Sequence, residues 1–364
     1  MKARRRYSAA IALVVVALGC DLEKAPSGPE SSKLSPRFEA FVESSAPLVQ
    51  HVVAPQATDP AIDKALDNQY VWLDTTAKSN HKLFVFLPGT GQNPSIFQLV
   101  QQEAARLGYH VIGLMYPTGG GLAKACPTTP DASACYENAR LEIIDGIDRV
   151  AFLDVNVANS IDNRLTKLLQ YLARQYPDEG WDKFLLQDEP KWSQIAVSGH
   201  SQGGGNAAMI AKIRLVARVV LFSSVTDSIH TEAPSWVATH VTPVERYYGI
   251  AHDRDGFYRP IRAAWDSLGL SVFGAPATPE TSSPPYDGTH TLVTDLTPQG
   301  GFVGTNAHGA PSNDLNTPLG PDGAPLLLDA WRYLLTARGA DREDAAANVP
   351  PTPSGRVAKS LTLE

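Results

Sequence analysis

A serine between glycines, Gly199-His200-Ser201-Gln202-Gly203, stands directly after the apolar run Gln194-Ile195-Ala196-Val197-Ser198 and before the Ala-rich segment Asn206 to Arg214. Strand, sharp turn and helix with a serine at the apex present a hydroxyl nucleophile to a carbonyl carbon. Glycines beside Ser201 suit that turn, because strand and helix crowd it and side chains there would clash. At ordinary Gly and Ser usage the pentapeptide arises by chance in about one chain of this length in eight. Its meaning therefore rests on what else the chain supplies. A serine hydroxyl needs a base within hydrogen-bond reach, and that base needs a carboxylate to orient it.

Where a nucleophile sits on such a turn, the acid and then the histidine follow it in chain order. Gly249-Ile250-Ala251-His252-Asp253-Arg254-Asp255 comes after one apolar run, and Asn306-Ala307-His308-Gly309 closes a Gly-rich loop after another. Asp255 is the first choice of acid, Asp253 its near rival and Asp227 a third candidate; a loop carboxylate not so used commonly caps a turn. His308 is the first choice of base. His290 is the alternative, although it opens a strand and reads as a packed strand-end residue, and His252 lies too near the acid in sequence to face it. The developing oxyanion needs fixed donors, each worth about 2.7 to 4 kcal/mol in the transition state. The backbone N–H of Gln202, next to the nucleophile, and that of Thr90, in Gly89-Thr90-Gly91, are assigned to it. His252, Asp253 and Asp255 have no further ligand at recognisable spacing, so no metal site is expected.

Positioning these groups requires their loops to share one edge of a sheet. Tyr70 to Leu73, Leu83 to Leu87, Tyr109 to Met115, the run before Ser201, Ala217 to Phe222, Val244 to Tyr248 and Thr291 to Asp295 read as strands. Between them, Phe97 to Leu107, Ser160 to Tyr176, the segment after Ser201, Tyr258 to Leu268 and Leu326 to Ala337 read as helices, with Tyr116 to about Asn138 left as a long insertion. Strands alternating with helices imply an α/β fold with a mostly parallel central sheet and helices on both faces, which binds ligands at the carboxyl ends of its strands.

With Leu87-Pro88-Gly89-Thr90-Gly91 after an early strand, the serine turn, an acid after a later strand and a histidine before the last helix, residues 70 to 338 resemble the α/β-hydrolase superfamily. Within it they are similar to the esterase and lipase branches. The resemblance implies the α/β-hydrolase fold and an ester or related acyl-transfer reaction on a small-molecule substrate, with no cofactor. Two other readings stay open: transfer of the acyl group to an acceptor other than water by the same residues, and an inactive cell-surface binding protein that kept the fold. The insertion and the Pro-rich segment Gly274 to Asp287 are expected to frame the substrate pocket. Neither carries the long amphipathic helix of an interfacial lipase lid, which favours soluble or short-chain esters.

The 364 residues, 43% hydrophobic and 19% charged, suffice for one large core. A net charge of −7 with no basic stripe beyond the first six residues argues against a nucleic-acid partner. Lys2 and Arg4 to Arg6, then the apolar run Ala9 to Leu18, have the form of an export signal, too short to span a bilayer. Ala17-Leu18-Gly19-Cys20 resembles the lipobox of bacterial lipoproteins, whose cysteine becomes the lipid-modified first residue; Ala17 departs from its usual Leu, Val or Ile. The expected organisation is a signal over 1–20, a flexible tether over 21–45, the hydrolase-like domain over 46–339 and a disordered tail over 340–364. The chain is then exported, held at the membrane only through a lipid on Cys20, with a secreted or periplasmic form as the alternative. Export also favours a disulfide between Cys126 and Cys135. Oligomeric state is left open by these features.

Overall fold

Leu83 to Leu87 form a strand with every side chain buried, and alternate residues serve different cores. Leu83, Val85 and Leu87 join one apolar cluster, and Phe84 and Phe86 another on the opposite face. The computed structural model describes residues 48–337; the expected export signal with Cys20, the tether and the C-terminal tail lie outside the described residues.

Eight strands make one sheet: β1 (Val49–Val53), β2 (Gln69–Leu73), β3 (Leu83–Leu87), β4 (His110–Gly113), β5 (Ile195–His200), β6 (Arg218–Phe222), β7 (Tyr247–His252) and β8 (Thr291–Thr294). Their order is β1-β2-β4-β3-β5-β6-β7-β8. The first two pairings, β1 with β2 and β2 with β4, are antiparallel. All the others are parallel. The architecture is thus α/β with a mostly parallel mixed sheet. Because β3, β5, β6, β7 and β8 run the same way, the segments that leave them emerge at one edge.

Helices cover both faces. On the first lie α2 (Ala132–Asp145), α3 (Ile161–Gln175), α4 (Gln202–Ile213) and α5 (Tyr258–Ser267); on the second lie α1 (Gln98–Arg106) and α6 (Leu328–Thr336). The α3 helix follows its sequence closely: Ser160 caps it by accepting from the Asn163 N–H, and Ile161, Leu165, Leu168, Leu169 and Leu172 are buried at helical spacing.

Three elements differ from expectation. The segment Val244–Arg246 is a single 3-10 turn set up by Pro243, and the strand begins only at Tyr247, running on to His252. The expected insertion Tyr116 to Asn138 instead holds a helical turn, Leu122–Ala125, and the start of α2. That helix has no apolar stripe to read: Arg140 and Glu142 are buried in it alongside Cys135, Tyr136, Ala139, Ile143 and Ile144. Strand β1 was not expected, since its alternation of half-buried and exposed residues at the sheet edge leaves no apolar run.

Helix α1 is capped from far along the chain. Asp314 Oδ2 accepts from the Gln98 N–H at 2.8 Å and Oδ1 from the Leu99 N–H at 3.1 Å. Burial pushes the Asp314 carboxyl up to about 6, against these two bonds, which favour the anion. A carboxyl raised on folding contributes stability that is complete below its unfolded pKa, about 4, and is lost as pH rises through about 6. Thermal unfolding of Asp314→Asn is expected to lack this fall between pH 4 and pH 7, while wild type shows it.

Candidate active site

Ser201 leaves β5 and caps α4, with φ 53° and ψ −120°. Its N–H donates to the Phe222 carbonyl at 3.0 Å, which ties the turn to the neighbouring strand. The flanking glycines are needed for close approach: a Cβ on Gly199 would lie 2.4 Å from the Gly203 carbonyl carbon, and one on Gly203 would lie 2.1 Å from the Leu87 carbonyl oxygen.

Asp255 and His308 meet 53 residues apart in sequence, His308 Nδ1 lying 2.7 Å from Asp255 Oδ2. The Asp255 side chain is fully buried, and its Oδ1 accepts from the Phe257 N–H at 2.8 Å. With Nδ1 donating to the carboxylate, the His308 lone pair sits on Nε2. That atom is buried and has no hydrogen-bond partner. His308 lies on the helical turn Asn306–Gly309, its ring 5.2 Å from that of Phe257 and 4.7 Å from that of His200. Its carbonyl accepts from Ser223 Oγ at 2.8 Å and lies 3.0 Å from His200 Nε2. Burial, and secondarily the neighbouring His308, push His200 down to about 3, so it stays neutral beside the other imidazole.

Ser201 and His308 line one cavity of about 720 Å³. Leu122, Ala123, Ala125 and Phe257 are among its apolar lining, and Thr90, Gln92, Gln202 and Thr226 among its polar lining. The Thr90 hydroxyl donates to Gln202 Oε1 at 2.8 Å, so the two residues assigned to the oxyanion adjoin. Neither of their backbone N–H groups has a hydrogen-bond acceptor among the described residues outside helix α4. The segment after β3 is held in place by the Tyr116 hydroxyl, which donates to the Pro88 carbonyl at 2.7 Å, and by the Gly91 N–H, which donates to the Thr118 carbonyl at 3.1 Å.

Of the remaining candidates Asp227 lines the same cavity but is committed to Arg140, while Asp253, His252 and His290 do not line it. Asp253 is half exposed and sits 2.9 Å from His252 Nδ1, away from His308. Because β7 reaches His252, Asp253 is the first residue past the strand, and Asp255 follows in a turn closed by its own N–H to the His252 carbonyl. His252 Nε2 faces the Leu296 carbonyl at 2.8 Å. Asp227 is gripped by Arg140, whose Nε donates to Oδ2 at 2.8 Å and Nη2 to Oδ1 at 2.5 Å. His290 is the packed strand-end residue its position suggested: Nδ1 meets the Tyr247 carbonyl at 2.9 Å, the ring stacks on Phe273, and burial pushes its pKa down to about 4. It does not line the cavity. Among the described residues no group of three or more His, Cys, Asp or Glu is placed to hold a metal ion.

Cys126 and Cys135 form a disulfide with their Cα atoms 5.4 Å apart. It joins the turn that supplies the cavity wall from Gly120 to Ala125 to the first residues of α2. The segment Gly274 to Asp287, expected to frame the same pocket, instead lines a separate cavity of about 460 Å³ beside Phe273 and Thr289. Phe257 and Thr305 stand in its place.

Sequence reasoning missed Arg140, which is wholly buried beneath the start of α4. Its Nη1 donates to the Gln202 carbonyl at 2.9 Å and to Asn206 Oδ1 at 2.8 Å. Gly205 makes room for it, since a Cβ there would lie 2.2 Å from Nη2. An arginine in a stretch without an apolar stripe offers no signal of this. Comparison with known protein families finds no match, and a search of curated proteins finds none either.

Proposed function

We propose that the protein is a serine hydrolase of the α/β-hydrolase superfamily that cleaves carboxylic esters through an acyl-enzyme on Ser201. The observation that carries the reading is the His308–Asp255 hydrogen bond of 2.7 Å, with His308 Nε2 unpartnered and both His308 and Ser201 lining one cavity. A neutral imidazole held by its other nitrogen is what a serine hydroxyl needs as general base.

In the proposed reaction Ser201 Oγ attacks the ester carbonyl carbon as His308 Nε2 takes its proton, and the buried Asp255 carboxylate stabilises the imidazolium that forms. Negative charge moves to the carbonyl oxygen, towards the backbone N–H groups of Thr90 and Gln202. Collapse expels the alcohol, which takes the proton from Nε2 and leaves an acyl ester on Ser201. Water then enters, loses a proton to Nε2 and attacks the acyl carbon, and collapse releases the carboxylic acid and restores the serine. The apolar walls from Leu122, Ala123, Ala125 and Phe257 suit an uncharged acyl or alcohol group of modest size.

A fluorophosphonate probe tests the reading directly. The folded wild type is expected to be labelled and Ser201→Ala is not. Absence of both labelling and ester turnover in the folded wild type removes the proposal.

A further inference from the structure

We infer that Ser223 and Ser224 are positioning residues, two consecutive hydroxyls that hold the base and the nucleophile turn in register; this rests on the serine-hydrolase reading above. They follow β6, which lies between the nucleophile strand β5 and the acid strand β7. Ser223 Oγ donates to the carbonyl of His308 at 2.8 Å, and Ser224 Oγ donates to the carbonyl of Ser201 at 2.8 Å. Both residues are fully buried.

The bond to Ser201 acts on the oxyanion donor. In a trans peptide the C=O and the following N–H point in opposite directions, so fixing the Ser201 oxygen also aims the Gln202 N–H. The Gly205 N–H, at 3.1 Å on the same oxygen, and Ser224 Oγ together leave that peptide little freedom to rotate. Ser224 is itself held, its carbonyl accepting from the Trp265 indole N–H at 2.8 Å.

The bond to His308 acts on the base. Asp255 holds the imidazole at Nδ1, and Ser223 holds the backbone of the same residue, so the side chain is located at both ends. Ser223 is in turn fixed to the sheet by its N–H, which donates to the Ile250 carbonyl at 2.8 Å. It has a positive φ of 46°, a conformation that non-glycine residues rarely adopt. Base and nucleophile thus share a reference point in adjacent residues of one chain segment, although they lie on elements more than 100 residues apart.

The test uses Ser223→Ala and Ser224→Ala in the full chain. Each substitution leaves its carbonyl a second polar neighbour, His200 Nε2 for His308 and the Gly205 N–H for Ser201. Both variants are therefore expected to fold, checked by their thermal midpoints. Each is expected to lose about tenfold to a hundredfold in kcat on a short-chain nitrophenyl ester, with KM within about twofold. Ser224→Ala is also expected to lose affinity for an alkylboronic acid, whose tetrahedral serine adduct places an oxygen among the same donors, in proportion to its lost kcat. Folded variants with wild-type kcat overturn the inference while Ser201 labelling of the wild type persists. A loss of activity that merely tracks the unfolded fraction overturns it as well. A folded wild type with no labelling at Ser201 removes the hydrolase reading and this inference with it.

Discussion

Asp255→Asn is expected to lower kcat by about 10⁴-fold, with KM little changed. The carboxylate accepts from the His308 Nδ1–H at 2.7 Å and from the Phe257 N–H through its other oxygen. Asparagine fits the same space and keeps one acceptor. Since the Phe257 N–H takes that acceptor, the new NH₂ faces Nδ1 and forces the ring proton onto Nε2. The imidazole then has no lone pair for the serine proton. Asp253→Asn, at a half-exposed residue against His252, is expected to leave kcat within about twofold. Parallel assays of the two variants on one ester decide between neighbouring carboxylates; similar losses in both would remove Asp255 from the proposed role.

The largest effect on stability is expected at Arg140 and Asp227, whose side chains are 0% and 1% exposed. Among the described residues, Arg140→Met leaves Asp227 with the Trp236 indole N–H, at 3.2 Å, as its one hydrogen-bond donor to offset a buried charge. Breaking a buried pair from one side costs about 3 to 5 kcal/mol, far more than the pair contributes net, because desolvation of the survivor is no longer balanced. The double variant Arg140→Met/Asp227→Leu removes both charges and is expected to regain at least half of that loss. Urea unfolding midpoints measure both. A single variant within about 1 kcal/mol of wild type contradicts the argument.

How much of this was legible follows from the range of the interactions involved. The turn at Ser201 could be read locally, since an apolar strand, two glycines and an Ala-rich helix lie within twenty residues. His308 could be ordered after Ser201 but not paired. Its contact with Asp255 depends on where β7 ends, and Pro243 shifts that strand towards its C-terminus, past Gly249 to His252. Register was the missing quantity, and it alone separates Asp253 from Asp255. Helix α2 was invisible because it buries charge on the face that would show an apolar stripe. The roles of Arg140, Ser223 and Ser224 rest on contacts between residues 23 to 87 positions apart, for which no spacing rule exists. The expected contribution of Gly274 to Asp287 failed for a related reason: a Pro-rich loop near a strand end says nothing about which side of β8 it occupies.

The backbone at Ser201 has a further implication. A side chain held at φ 53° and ψ −120° lies in a region that favours glycine, and such a residue typically costs about 1 to 3 kcal/mol. Ser201→Gly should therefore raise the unfolding midpoint even as it removes the hydroxyl. A chain kept only for its shape would be more stable with glycine there; in the proposed hydrolase, chemistry at the serine oxygen is what offsets that loss of robustness.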